Sequence, residues 1–228
     1  MKCYLKKSVV AVLAAVFLMS AVGCEKKTEY SDIIDEYGSI AEEDLPYGST
    51  IVQLKPSTNE NVKMSIEYDR RFLTEEEVIK VSDYMQALND CDTSLMESTV
   101  YPDYLTYLKE VNSVESTETY LTVMHDGIKT SYTDGSDFEF NYILVNSCLD
   151  ETSSDDETGF SILDSILDSY AKKSGQDDVS SKITSRKLVG IDTMYTLASD
   201  GGSYSLTNRT GSDQQIYIYT IDGQIYIL

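Results

Sequence analysis

The sequence is short of the residues on which most enzyme and nucleic-acid chemistry depends. It holds one histidine, His125, in 228 residues, so no zinc site of His/Cys spacing can be built from it. Lys and Arg number 18 against 39 Asp and Glu, a formal net charge of −21, and no basic cluster forms. Nucleic-acid binding needs a basic footprint, so no nucleic-acid partner is expected. There is no G-x-S-x-G elbow and no phosphate-cradling glycine loop. Carboxylates gather at Asp90/Asp92, at Asp134/Asp137/Glu139 and from Asp150 to Glu157, and none of these follows the calcium-loop spacing. Neither a metal nor a cofactor is expected. His125 as a general base lacks a local partner, because Asp126 points about 100° away around a helix. A Cys–His nucleophile would need Cys91 or Cys148, and both fall on apolar stripes. Long hydrophobic runs are also missing. The run from Val9 to Met19 is about half of the roughly 20 residues that a spanning helix needs.

That run follows Lys2, Lys6 and Lys7 and closes on Ser20-Ala21-Val22-Gly23-Cys24, the layout of a secretory signal peptide over residues 1–23. Ala21-Val22-Gly23-Cys24 resembles the lipobox of bacterial lipoproteins, with Ala21 where Leu is usual. The resemblance implies that Cys24 carries a diacylglyceryl group and becomes the mature N-terminus. The chain is then held on the extracytoplasmic face of the cell membrane. Two acyl chains suffice for stable anchoring. Loss of the leader removes three lysines and no acids, leaving 15 basic against 39 acidic residues, a charge of −24. Such a surface reads as solubility or, alternatively, as an attraction for cations or basic partners.

Residues 24–48 are acidic and without sustained periodicity, and they read as a tether. Two cysteines remain beyond Cys24. An extracytoplasmic setting permits a Cys91–Cys148 disulfide, while their apolar positions suit free thiols acting as small hydrophobes. Residues 49–72 read as a lead-in. Val62, Met64, Ile66 and Tyr68 alternate with polar residues as in a half-buried strand, with Ile51 to Leu54 as its hairpin partner.

From residue 73 the text reads as helices first. Thr74-Glu-Glu-Glu77 is a capping box, and Val78, Val81, Met85 and Leu88 follow on one face. Asn89-Asp90-Cys91-Asp92 breaks that helix, and Pro102 opens another. A third helix is predicted over Glu118–Tyr132 and a strand over Phe138–Leu149, with Phe138, Phe140, Tyr142, Leu144 and Cys148 sharing a face. The helix over Gly159–Lys173 carries Phe160, Leu163, Ile166, Leu167 and Tyr170 as its apolar stripe. Strands are predicted at 183–198, 202–208, 214–221 and 224–228. The expectation is an α+β fold, with N-terminal helices on one face of a curved antiparallel sheet that ends in a β-meander.

The segment YMQALNDCD, then Tyr101-Pro102, then a late helix and a sheet closing on IYIYTIDGQIYIL resembles the NTF2-like (cystatin-like) fold. It is similar to secreted lipoproteins of Gram-positive bacteria over residues 73–228. Tyr84, Ala87 and Asp92 match their early-helix pattern, and Ile225 stands where their last hairpin usually carries Trp. The resemblance implies an envelope binding or interaction module without catalysis, as a homodimer or with another envelope protein. A second reading is a pocket enzyme (hydrolase, isomerase or dehydratase), using the space between helices and sheet near His125.

In the last hairpin, an Asp222-Gly223 turn pairs Ile218 with Ile227 and Tyr219 with Tyr226. Ile216, Ile218, Thr220, Ile225 and Ile227 then share one face, and Tyr217, Tyr219, Tyr226, Ile221 and Leu228 the other. The tyrosine face is open to three uses: sheet packing against the N-terminal segment or adjacent strands, a dimer or partner surface, or a ligand platform.

Overall fold

A computed structural model describes residues 45–151 and 157–228. The leader, Cys24 and nearly all of the tether lie outside them. Among the described residues seven strands form one open sheet: β1 (Ile51–Leu54), β2 (Ser65–Asp69), β3 (Phe138–Asp150), β4 (Ile183–Leu197), β5 (Ser203–Ser205), β6 (Gln214–Ile221) and β7 (Gln224–Ile227). Their order is β1-β2-β3-β4-β6-β7, with β5 alongside β4. Among the described residues the helices are α1 (Glu75–Asp90), α2 (Thr93–Thr99), α3 (Pro102–Val111), α4 (Thr117–Tyr132), α5 (Glu157–Lys173) and α6 (Leu206–Thr210). The α+β class is as expected.

Several elements form for local reasons. Thr74 caps α1, and the Glu77 carboxylate reaches back to the Thr74 amide at 2.8 Å. Cys91 ends α1 in the left-handed region at φ 52°, and the Asp92 side chain caps α2 through Leu95 N at 3.0 Å. Pro102 occupies the first turn of α3, where a missing N–H costs nothing. Asp222 and Gly223 turn the last hairpin at φ 51° and 75°, giving the predicted register of Tyr219 opposite Tyr226.

The strands β1 and β2 pair with each other as an antiparallel hairpin, Ile51 opposite Asp69 and Leu54 opposite Ile66, and β2 joins β3. Residues 49–72 are therefore part of the domain's sheet. The sheet is not wholly antiparallel, because β2 and β3 run parallel. A parallel pair needs a long crossover, and α1 to α4 supply it. Bulges between Phe140 and Tyr142 and between Val145 and Ser147 break the period of β3. Phe138, Phe140, Ile143, Val145 and Cys148 are buried, whereas Tyr142 and Leu144 are only half-buried, so the predicted single row does not hold. Residues 206–208, read as strand, are helical. Ser205 caps Asn208 N at 3.0 Å, and Asp192 of β4 accepts from Ser205 Oγ and Thr207 N at 2.7 and 3.0 Å.

The helices occupy both faces of the sheet rather than one. On the inner face, Val78, Val81 and Met85 of α1, Met96 of α2, Leu105 of α3 and Leu121 of α4 share a core with Ile143, Val189, Ile191, Ile216 and Ile218. On the outer face, α5 lays Phe160, Leu163, Leu167 and Ala171 against Leu188, Tyr219, Ile221 and Leu228. An amphipathic helix needs an apolar surface to cover its stripe, and the aromatic face of the last hairpin provides it. Tyr104 of α3 packs with both cores and joins the two layers. Past the β7 edge, Tyr101 N donates to Ile227 O at 3.3 Å, so the α2–α3 junction partly closes that edge.

Candidate functional site

The space between the inner helices and the sheet, where a pocket enzyme would work, is packed. His125 lies flat on Phe138, with ring centroids 4.6 Å apart, and Phe138 packs in turn on Phe140 at 5.0 Å. The Asp137 carboxylate is bound by Lys129, which holds it below the usual carboxylate range. Deeper in, Tyr84, Tyr104 and Tyr120 gather from α1, α3 and α4. Burial pushes the Tyr84 hydroxyl up to about 12, against the lowering pull of its bond with Tyr120, and pushes the Tyr104 hydroxyl further above its ordinary value. Neutral phenols buried in this way pack and hydrogen-bond; they do not ionise near neutral pH.

The two cysteines among the described residues, Cys91 and Cys148, are free thiols rather than a disulfide. Cys148 is buried on β3, its Sγ 3.9 Å from Phe72 O, and burial pushes the thiol up to about 12 against the opposing pull of Lys187. The ammonium of Lys187 belongs to a different contact. It donates to Phe72 O at 2.9 Å and to the Glu77 carboxylate at 2.8 Å, joining β4 to the start of α1. Cys91 sits at the end of α1, half-buried, and burial raises its thiol too, helped by Asp126 and Asp90.

The tyrosines of the terminal hairpin are divided among packing roles. Tyr219 is fully buried, its hydroxyl 3.4 Å from Phe160 O and its ring beside that of Phe160. Tyr217 meets Phe160 edge-on at 5.6 Å, and Tyr226 meets Tyr101 edge-on at 5.1 Å. Only Tyr217 and Tyr226 keep part of their surface open. Among the described residues, Phe160 of α5 covers Tyr217 and Tyr219, and Tyr101 covers Tyr226.

Two recesses open on the surface of the described residues. The larger, about 430 Å³, is an open groove between α3 and α5 lined by Tyr107, Ile162, Ile166, Tyr170 and serines 161, 165 and 169. Its polar groups are largely committed: Ser165 Oγ donates to Ser161 O at 2.8 Å, and Tyr170 donates to Glu110. The smaller, about 200 Å³, lies on the outer face beyond the N-terminal end of α5. It is bounded by Ser147, Leu149, Leu188, Gly190, Ser212, Asp213 and Gln215. Periodicity could not reveal it, because the bulge after Val145 turns Ser147 toward Gly190, its partner on β4. The bare Cα of Gly190 keeps the recess open, since a Cβ there would stand 2.6 Å from Ser147 Oγ.

Beside this recess, Asp213 is held from one side. Its Oδ1 accepts from Asn146 Nδ2 at 3.0 Å and from Thr207 Oγ1 at 2.9 Å. Its Oδ2 takes no hydrogen bond from the described residues and lies 3.5 Å from the position of a Gly190 Cβ. Among the described residues no group of three or more His, Cys, Asp or Glu side chains is placed to hold a metal ion. Comparison with protein-family models, with curated proteins and with solved structures finds no match to the chain.

Proposed function

We infer that the chain is a membrane-anchored extracytoplasmic binding module of the NTF2-like fold, working without catalysis. The observation that carries the anchor is Ala21-Val22-Gly23-Cys24 directly behind a basic start and a short apolar run. The order of helices, then a late helix, then a terminal meander supports the fold reading; the α5 layer on the outer face is this chain's departure from the expected plan. A non-catalytic role is supported by the filled inner core, where His125 is spent on Phe138 and the tyrosine hydroxyls are buried.

The described residues begin with a device suited to a tethered domain. Arg71 holds the carbonyls of Leu45 and Pro46 at 3.0 and 2.8 Å, while buried Asp69 takes Gly48 N at 2.9 Å. The tether's end is thereby fixed to the sheet. Expression in a bacterium with a labelled fatty acid tests the anchor. The wild-type chain is expected to incorporate label and stay with membranes, and Cys24→Ala to lose both. Label retained by Cys24→Ala would sink the lipoprotein reading.

A further inference from the structure

We propose that the recess at Gly190 binds a primary ammonium carried on a short apolar stem, such as a lysine side chain or a free diamine. The geometry supplies the two halves of such a ligand separately. Leu149, exposed at 41%, and Leu188 form an apolar wall. Asp213 Oδ2 and the hydroxyls of Ser147 and Ser212 form the polar part. Neither serine hydroxyl nor Asp213 Oδ2 has a hydrogen-bond partner among the described residues, so a ligand ammonium displaces no internal bond. An ammonium has three donors and no acceptor. It matches one carboxylate oxygen and hydroxyl lone pairs, a charge-assisted set stronger than neutral hydrogen bonds.

Other ligand classes fit less well. A calcium ion asks for six to eight oxygens, and the recess offers a single carboxylate. An anion meets Asp213 and a protein of net charge −21. A sugar ring has no aromatic face here on which to stack. The cations of neighbouring elements are engaged elsewhere, Arg186 with Asp164 and Glu151 and Arg209 with Asp134, so no side chain among the described residues forms an ion pair with Asp213. The acidic surface adds a long-range attraction for the same charge sign. About 200 Å³ holds one aminoalkyl group rather than a folded partner.

The proposal gives a ligand class to the binding-module reading but stands on its own geometry. Fatty-acid labelling tests the anchor and the following titration tests the recess, so either can fail alone. The full chain, 15N-labelled in a neutral detergent, is titrated with cadaverine, with Nα-acetyl-lysine methylamide and with n-butanol while amide shifts are followed. Both amines are expected to move the amides of Gly190, Ser147 and Gln215 saturably, and n-butanol is not. Tighter binding of the acetyl-lysine compound identifies a protein or peptide lysine as the source; tighter binding of cadaverine identifies a free diamine. Asp213→Asn keeps an oxygen for Asn146 and Thr207 and should weaken amine binding about tenfold or more at unchanged Tm. Gly190→Ala, whose Cβ crowds Ser147 Oγ, should also weaken amine binding. No localised shift, an equal response to n-butanol, or wild-type affinity in Asp213→Asn would overturn the proposal.

Discussion

Tyr219 and Tyr226 stand opposite each other across the terminal hairpin and end in different surroundings. Tyr219 is sealed under Phe160 of α5, whereas Tyr226 leans edge-on against Tyr101 and keeps part of its ring in water. The cross-strand pair thus connects the outer core to the α2–α3 junction.

Removing the sealed ring leaves a cavity under α5. Tyr219→Ser should destabilise the protein by about 3–5 kcal/mol, the range for deleting a buried aromatic side chain. Urea unfolding measures this, and a sizing column checks association. An unchanged elution volume with a lowered midpoint is expected. A change of oligomeric state at unchanged stability would show instead that Tyr219 serves an interface.

Asp69 and Arg71 give a pH-dependent prediction. Burial alone would push the Asp69 carboxyl up, but hydrogen bonds from the Arg71 guanidinium, Thr50 and the amides of Arg71 and Gly48 hold it well below the usual carboxylate range. Its folded value is below its unfolded one, so its stabilisation is full above about pH 4 and fades as pH falls toward the folded value. Asp69→Asn removes the carboxylate that neutralises the largely buried Arg71 guanidinium and should cost about 3–5 kcal/mol at pH 7. The gap between wild type and variant in chemical denaturation should narrow from pH 4 to pH 2. A gap that stayed constant over that range would refute the assignment.

How much of this was legible in the sequence follows from the range of each interaction. The Thr74–Glu77 box, Pro102 and the Asp222-Gly223 turn act within a few residues, and the sequence reads them correctly. The stripe of α5 is equally plain, but a stripe does not say which face of a sheet will receive it. The helix at Leu206 depends on Asp192, a residue from the middle of β4, so 202–208 reads as strand until the fold brings that carboxylate to Ser205. The β2–β3 parallel pairing spans four helices and leaves no local trace. The recess at Gly190 needs a bulge, a missing Cβ and a half-satisfied carboxylate from three strands' worth of chain, none of which is a motif. Asp69 and Arg71, in the string YDRR, look like surface charges and are the buried fastening of the chain's entry into the sheet.

The two cysteines should differ sharply in reactivity. At pH 8 a thiol pushed from near 8.5 up to about 12 loses about 10³-fold of its thiolate, and the thiolate is the reactive form. Cys148 is also shielded, being buried, while Cys91 is half-exposed at the end of α1. N-ethylmaleimide at pH 8, followed by peptide mass spectrometry, should modify Cys91 in the native protein and Cys148 only in urea. Cys148→Ala should leave the Cys91 rate unchanged, because the two thiols are free and unlinked. Equal labelling of both in the native state would mean that β3 opens at Cys148 far more readily than its packing allows. A non-reduced peptide containing both residues would replace the free-thiol description with a disulfide.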